Sequence, residues 1–333
     1  MKMITNVKLF LVLVVLSCAG PAQGGDMLFT DHPLVGKIWD MNSRSYIDEA
    51  ELLANIDQAT VLLLGETHDN PLHHELQQKL LKARIASGAR PALMMEQLDD
   101  DTQSVVDKAL AGNDRKAALN SLTKLIKFTD WQFYRPFLAI AVDNKLPVIA
   151  ANISSLRLQP VIWKGFSAYD PEDIKRLAVE QVWSQGREKY LEINMGGAHC
   201  GKLKDELRAG LTRSQRLRDA LMVDSAMSSL GRGVVGIVGS GHARRDVGMP
   251  IYFAARAPQA HIFSIAFMEV SPQRTDPNFY AAQSATGDAP YDVIWFTPRV
   301  KRSDPCAELN KLKSPMPSGG EPDLKLSVEP PKP

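Results

Sequence analysis

The run Val61-Leu62-Leu63-Leu64, closed by Gly65-Glu66-Thr67-His68, constrains the fold more than any other part of this chain. It is too short for a helix and has no polar alternation, so it reads as a strand buried on both faces. Such a strand needs helices above and below its sheet, which specifies an α/β architecture. The residues that follow supply them. Asp69, Asn70 and Pro71 offer N-cap chemistry and a first-turn proline. Leu76, Leu80, Leu81 and Ile85 then recur at helical spacing from Leu72 to Ala86, and Gly88 ends the segment. Pro91 to Glu96 is a second apolar strand ending in a carboxylate. Strand, helix and strand at this spacing predict a βαβ unit with parallel pairing.

The pattern continues through helices at Thr102–Leu110, Lys116–Ile126 and Arg135–Asn144, and a strand at Leu146–Ala150. Asp170 to Leu230 is almost wholly helical in pattern, rich in Lys, Arg, Glu and Gln. A helical block of that length between strands predicts an insertion, about 166–231, covering one end of the sheet. Gly233–Gly239 resumes the buried-strand pattern, and His261–Phe267 and Val293–Phe296 add further strands. The fold expected is a mostly parallel central sheet flanked by helices, in a domain spanning 46–300. Residues 18–45 read as a linker, and 303–333, dense in Pro, Ser, Gly and Lys, as a disordered tail.

Lys2 and Lys8 precede the apolar run Leu9–Leu16, which is too short to span a bilayer and reads as a signal-peptide core. Ser17-Cys18 follows directly, so cleavage after residue 17 with lipidation of Cys18 is expected; the competing reading is ordinary cleavage near Ala22-Gln23-Gly24. Export leaves Cys200 and Cys306 in an oxidising compartment, free to form one disulfide or to stay unpaired. Lys plus Arg is 39 against 38 for Asp plus Glu. That balance argues against nucleic acid as a partner.

Open α/β sheets hold ligands at the carboxyl ends of their strands. Here one strand ends in Glu66 and His68, another in Glu96, and a third in Gly239-Ser240-Gly241-His242. Extended alternation puts Glu66 and His68 on one side. Two carboxylates and two imidazoles in one crevice suit a divalent metal or acid–base chemistry. Gly239-Ser240-Gly241 fits neither a nucleophile elbow nor a dinucleotide fingerprint, because the flanking spacing fails. His73 and His74 open a helix and read as solvated first-turn residues. Trp131-Gln132-Phe133-Tyr134-Arg135-Pro136 reads mostly as core, with Arg135 a candidate carboxylate clamp.

Gly65-Glu66-Thr67-His68, Glu96, Trp131-x-Phe133-Tyr134-Arg135-Pro136, Ala198-His199-Cys200-Gly201, Gln215 to Met222 and Gly239-Ser240-Gly241-His242-Ala243 together resemble the ChaN family. That family belongs to a superfamily including the Tiki proteases and erythromycin esterases. The resemblance implies an iron-regulated lipoprotein of haem uptake: a homodimer stacking two ferric haems, ligated by tyrosinate and served by an outer-membrane haem receptor. Candidate haem contacts are Tyr169, Tyr134, Tyr190, His199 and Arg135. Such a protein is anchored in the cell envelope, at the outer membrane and facing the periplasm. The alternative is a metal-dependent hydrolase using Glu66, His68, Glu96 and His242, the residues the wider superfamily uses for catalysis.

Overall fold

The computed structural model describes residues 26–128, 130–281, 284–304, 306 and 307. The expected signal segment 1–17, Cys18 and most of the expected tail at 303–333 lie outside the described residues. Among the described residues the strands are β1 (Met27–Leu28), β2 (Ile38–Asp40), β3 (Ser45–Ile47), β4 (Val61–Glu66), β5 (Ala92–Asp99), β6 (Val148–Asn152), β7 (Val234–Gly239), β8 (Ile262–Glu269), β9 (Val293–Thr297) and β10 (Arg299–Val300). The helices used below are α1 (Glu49–Asp57), α2 (Pro71–Ala86), α3 (Gln103–Ala111), α4 (Arg115–Thr123), α5 (Trp131–Asp143), α6 (Ser155–Lys164), α7 (Pro171–Arg176), α8 (Gln185–Ala198), α9 (Asp205–Ala226), α10 (Ser240–Ala243) and α11 (Met249–Arg256).

Every residue of β4 is buried, and its neighbours in the eight-stranded sheet are β8 and β7. The sheet order is β3-β2-β9-β8-β4-β7-β5-β6, and pairing is parallel from β9 to β6. Val61 and Leu63 point into one apolar cluster, which takes Leu217, Ala220 and Val223 from α9 and Tyr252 and Phe253 from α11. Leu62 and Leu64 point into another, with Leu80 and Leu81 from α2 and Phe137 and Leu138 from α5. The unbroken apolar run in the sequence thus feeds cores on both faces. α9, inside the predicted helical insertion, is one of the helices that build the first core.

Two expectations are revised. The linker expected at 18–45 instead holds β1 and β2 and the start of β3. β2 pairs antiparallel with β3 and with β9, and Ile38, Trp39 and Ile47 are buried. Strands of three residues are too short to show a period in sequence, and pairing at the sheet edge holds them. β4 and β5 are parallel, as the βαβ reading requires, but β7 lies between them. The later strand inserts there, so the ends of β4, β7 and β5 come side by side, with Glu66 in register with Gly239. That lateral order is what assembles the site.

α2 begins as read: Pro71 is in its first turn, and the Asn70 side chain accepts from the Leu72 amide at 3.0 Å. Gly65 has a steric reason. A Cβ there would lie 2.9 Å from the Ala243 Cβ, 3.0 Å from the Ser240 Cα and 3.2 Å from the Ile265 carbonyl oxygen. Its bare Cα lets α10 close on β4. Gly65→Ala is expected to destabilise the protein by about 1–3 kcal/mol, read from the urea unfolding midpoint. An unchanged midpoint would show that the contact is slack.

Candidate functional site

Glu66 closes β4 with its side chain fully buried. Its Oε1 accepts the Tyr134 hydroxyl at 2.7 Å and lies 3.0 Å from His68 Nδ1. Gln97 Nε2 approaches the same oxygen at 3.4 Å. Oε2 lies 3.0 Å from His74 Nδ1, an ion-pair distance without hydrogen-bond alignment. His74 Nε2 donates to the His68 carbonyl at 2.9 Å, and its ring stacks on Phe133. The turn after β4 therefore folds α2 back over the strand end, with α5 closing from the side.

Glu96, on β5, accepts the Gly239 amide on Oε2 at 2.6 Å. Its Oε1 lies 3.4 Å from His242 Nε2 and 3.9 Å from His68 Nε2. His242 Nδ1 in turn lies 2.5 Å from Asp219 Oδ1, and Gln215 Nε2 is 3.1 Å from the same nitrogen. Asp219 and Gln215 are one turn apart on α9, so they share a face. The result is a chain of alternating sign: His74, Glu66, His68, Glu96, His242, Asp219. Five of its members are 8 % exposed or less at the side chain, whereas His68 is 42 % exposed. His68 is the group the array presents to solvent, with Phe128 packed edge-on against its ring.

Burial alone would raise the Glu66 carboxyl, but His74 and His68 outweigh it and hold it near 2. Glu96 is likewise held well below the usual range by His242 and His68 against the cost of burial. Burial would lower His68, yet Glu96 and Glu66 raise it to about 9; His242, facing Glu96 and Asp219, rises to about 10. Burial pushes Asp219 up in spite of His242. Mutual compensation of this kind keeps the imidazoles cationic and most of the carboxylates anionic in a site that would otherwise reject charge.

The structure brings together Glu66, His68, Glu96 and His242, the four strand-end residues picked out in the sequence. Their oxygens and ring nitrogens are turned on one another, and no group of three or more His, Cys, Asp or Glu placed to hold a metal occurs among the described residues. Sequence reading assigns no site role to His74 or Gln97, nor to Gln215 and Asp219 beyond their place in the Gln215 to Met222 motif. His73 and His74 are buried, not solvated: His73 Nδ1 accepts the Thr67 amide at 2.9 Å, and its Nε2 lies 2.8 Å from the Thr297 hydroxyl. The signal for Asp219 was available, since Gln215 and Asp219 are an i, i+4 polar pair beside buried Leu217 and Ala220.

The haem candidates separate. Tyr134 is fully buried and committed to Glu66, with its hydroxyl pKa pushed far up by burial and that carboxylate. Tyr190 lies under the Arg244 guanidinium, 4.5 Å from the ring centre. His199 caps α8, its Nδ1 bonded to the Met195 carbonyl at 2.8 Å, and Arg135 is exposed on α5. Cys200, which follows, is disulfide-bonded, so the unpaired reading does not hold for it. Tyr169 lines a cavity with Asp100, Arg157, Arg176, Asp224 and Ser225.

The array also sets a pH response. Glu66 is depressed, so its contribution is present above pH 4.5 and is lost as pH falls through about 2. His68 and His242 are raised, so theirs is complete below pH 6.5 and is lost as pH rises through about 9 and about 10. The thermal unfolding midpoint is expected to be highest between about pH 4.5 and 6.5 and to fall toward about pH 10, and His242→Gln is expected to flatten the alkaline side. A midpoint that climbs from neutral to alkaline pH would contradict the array.

Several solved structures match this chain. One, titled cofacial heme binding to ChaN of Campylobacter jejuni, superposes with a TM-score of 0.61 at 19 % identity, covering 78 % of this chain and 95 % of that one. An erythromycin esterase mutant in its open conformation matches with a TM-score of 0.39 at 10 % identity, covering 77 % and 95 %. A Bacillus cereus protein matches with a TM-score of 0.37 at 15 % identity, covering 65 % and 67 %. No curated protein matches. The family model described as haem-binding uptake, Tiki superfamily, ChaN matches residues 52–253, more than half of the chain, and the protein belongs to that family.

Proposed function

We propose that this protein binds ferric haem through Tyr169. The observation that carries the reading is the cavity in which the Tyr169 phenol stands beside two guanidinium groups, Arg157 and Arg176. Ferric iron takes oxygen ligands, and a haem also brings two propionates that need cations. Of the three candidate tyrosines, Tyr134 is spent on Glu66 and Tyr190 is covered by Arg244, whereas Tyr169 is half-buried with its hydroxyl 3.2 Å from the Arg157 carbonyl oxygen. Burial raises the Tyr169 pKa, so the group is a neutral phenol until a bound metal displaces its proton. Arg157 pairs with Asp100, and Arg176 with Asp173 and Asp224. Their side chains stay 44 % and 51 % exposed, so each retains donors for a further carboxylate.

The basic start, the Leu9–Leu16 run and Cys18 support export and lipid anchoring, facing the periplasm at the outer membrane. There the protein would take haem from an outer-membrane receptor for iron uptake, as a homodimer. Mass spectrometry of the mature N-terminus checks the lipid, and sedimentation with and without hemin checks the dimer.

Hemin titration of the mature protein is expected to give a tyrosinate-type ferric spectrum. Tyr169→Phe is expected to abolish its charge-transfer band and weaken binding about tenfold or more, while Tyr134→Phe and Tyr190→Phe keep it. A wild-type protein that ignores micromolar hemin, or a Tyr169→Phe variant with an unchanged spectrum, would overturn the assignment.

A second reading is hydrolysis at the strand ends. It is favoured by the half-exposed His68 imidazolium, held cationic and oriented from behind by Glu66, a placement that suits a proton donor. A peptide and ester substrate screen decides it: turnover lost in His68→Ala would support it, and no turnover in the wild type would remove it.

A further inference from the structure

The point at which the chain enters the fold is fixed. The Asp26 carbonyl accepts the Lys301 amide at 3.0 Å, the two side chains pair at 3.3 Å, and β1 then runs antiparallel to β10. β10 follows the carboxyl end of β9, and its Val300 amide donates to Glu269 at the end of β8 at 3.1 Å. Cys18 precedes Asp26 by eight residues. An extended chain covers at most about 3.6 Å per residue, so a lipid on Cys18 would hold Asp26 within about 29 Å of the bilayer surface. A domain of this length has a radius of gyration of about 19 Å, so the face opposite that entry stays out of reach.

Beside the entry, residues 271–280 after β8 present an aromatic ring that their own turn holds outward. Phe279 is 55 % exposed. Its amide donates to the Asp276 carbonyl at 3.1 Å, and Asp276 Oδ1 accepts the Asn278 amide at 2.9 Å. Tyr280 turns the other way, its ring edge-on against Phe296 of β9. The Tyr280 hydroxyl accepts the Ser271 amide at 2.8 Å and donates to the Arg274 carbonyl at 3.1 Å. The segment is thereby tied to the sheet while Phe279 meets solvent. Tyr46 of β3, 50 % exposed, lies near the same turn, its hydroxyl pKa pushed up by burial and by Asp276. Cations flank these rings: Arg274 lies 6.0 Å from the Phe279 ring centre, and Lys37, Arg299 and Lys301 are exposed around the end of β9. Among the described residues only Lys301 of these four is in an ion pair.

We infer that this face lies on the membrane, with Phe279 and Tyr46 at the headgroup boundary and Arg274, Arg299 and Lys37 toward anionic lipid headgroups. The inference rests on the lipid-anchoring reading above and adds to it the orientation of the protein. Exposed aromatic rings beside cations suit the interface, where rings enter the acyl boundary and cations meet phosphates. Two rings hold a protein on a bilayer only weakly, so the lipid supplies the attachment and this face the orientation.

Hydrogen exchange tests it on the lipidated mature protein in vesicles of mixed phosphatidylcholine and phosphatidylglycerol. The reference is the same mature chain without lipid, Cys18→Ser, in buffer. Exchange in 271–280 is expected to slow on the vesicles, and less so on phosphatidylcholine alone. Phe279→Ser combined with Arg274→Ser, both exposed sites with the fold checked by circular dichroism, is expected to lose that protection while the lipid stays. If Cys18 carries no lipid, the anchoring reading falls and this inference with it. If the lipid is present and 271–280 exchanges as fast as in the reference, only this inference falls. Equal protection on phosphatidylcholine alone would overturn the role of the cations. If the lipid-free chain gains the same protection at raised protein concentration, the face is a contact between copies and the inference is overturned.

Discussion

A carboxylate with no exposed surface at the end of the central strand is the constraint around which this molecule is arranged. Glu66 cannot keep its charge there unless cations and donors surround it, because an uncompensated buried charge costs several kcal/mol, of order 3–5 when one partner of a pair is removed. The partners come from four places in the chain: His68 from the turn after β4, His74 from α2, Tyr134 from α5 and Gln97 from β5. Each of those elements is thereby tied to the end of β4.

Glu96 repeats the arrangement two strands away, across β7, and His68 faces both carboxylates. The array continues through His242 to Asp219 on α9, so the helical block between β6 and β7 is tied to the same polar line as the sheet. The chain of alternating sign gives the site its stiffness and its charge together. It also leaves His68 as its one half-exposed member, and this is why chemistry at the strand ends is worth testing beside haem binding. The cavity at Tyr169 draws on other residues, from α6, α7 and α9 and from the turn after β5. The fold therefore carries two distinct polar places, one closed on itself and one open.

Much of this was legible in the chain. The all-apolar run before Gly65 specified a strand covered on both sides, and Asn70 with Pro71 marked the start of α2 where the structure has it. Polar residues after three separate apolar runs identified Glu66, His68, Glu96 and His242 as a group. The motifs quoted for the family resemblance all lie within the matched segment 52–253. Misreadings arose where the partner was distant. His73 and His74 carry no mark of burial, since a histidine in a first turn looks the same whether it meets water or Glu66. β2 was read as linker because three residues display no period, and only β3 and β9 show where it pairs.

Local sequence determined which segments become strands and helices, where they start, and which side chains stand at the strand ends. Those properties depend on periodicity, capping and backbone stereochemistry within a few residues. Tertiary structure alone decided that β7 enters between β4 and β5, which puts Glu66, Gly239 and Glu96 side by side. It decided that Asp219 faces His242, that Tyr134 is consumed by Glu66, and that Tyr169 is left beside two arginines. These are contacts between residues far apart in the chain, fixed by strand order and by the need to pair buried charge, and neither is written in any local stretch of it.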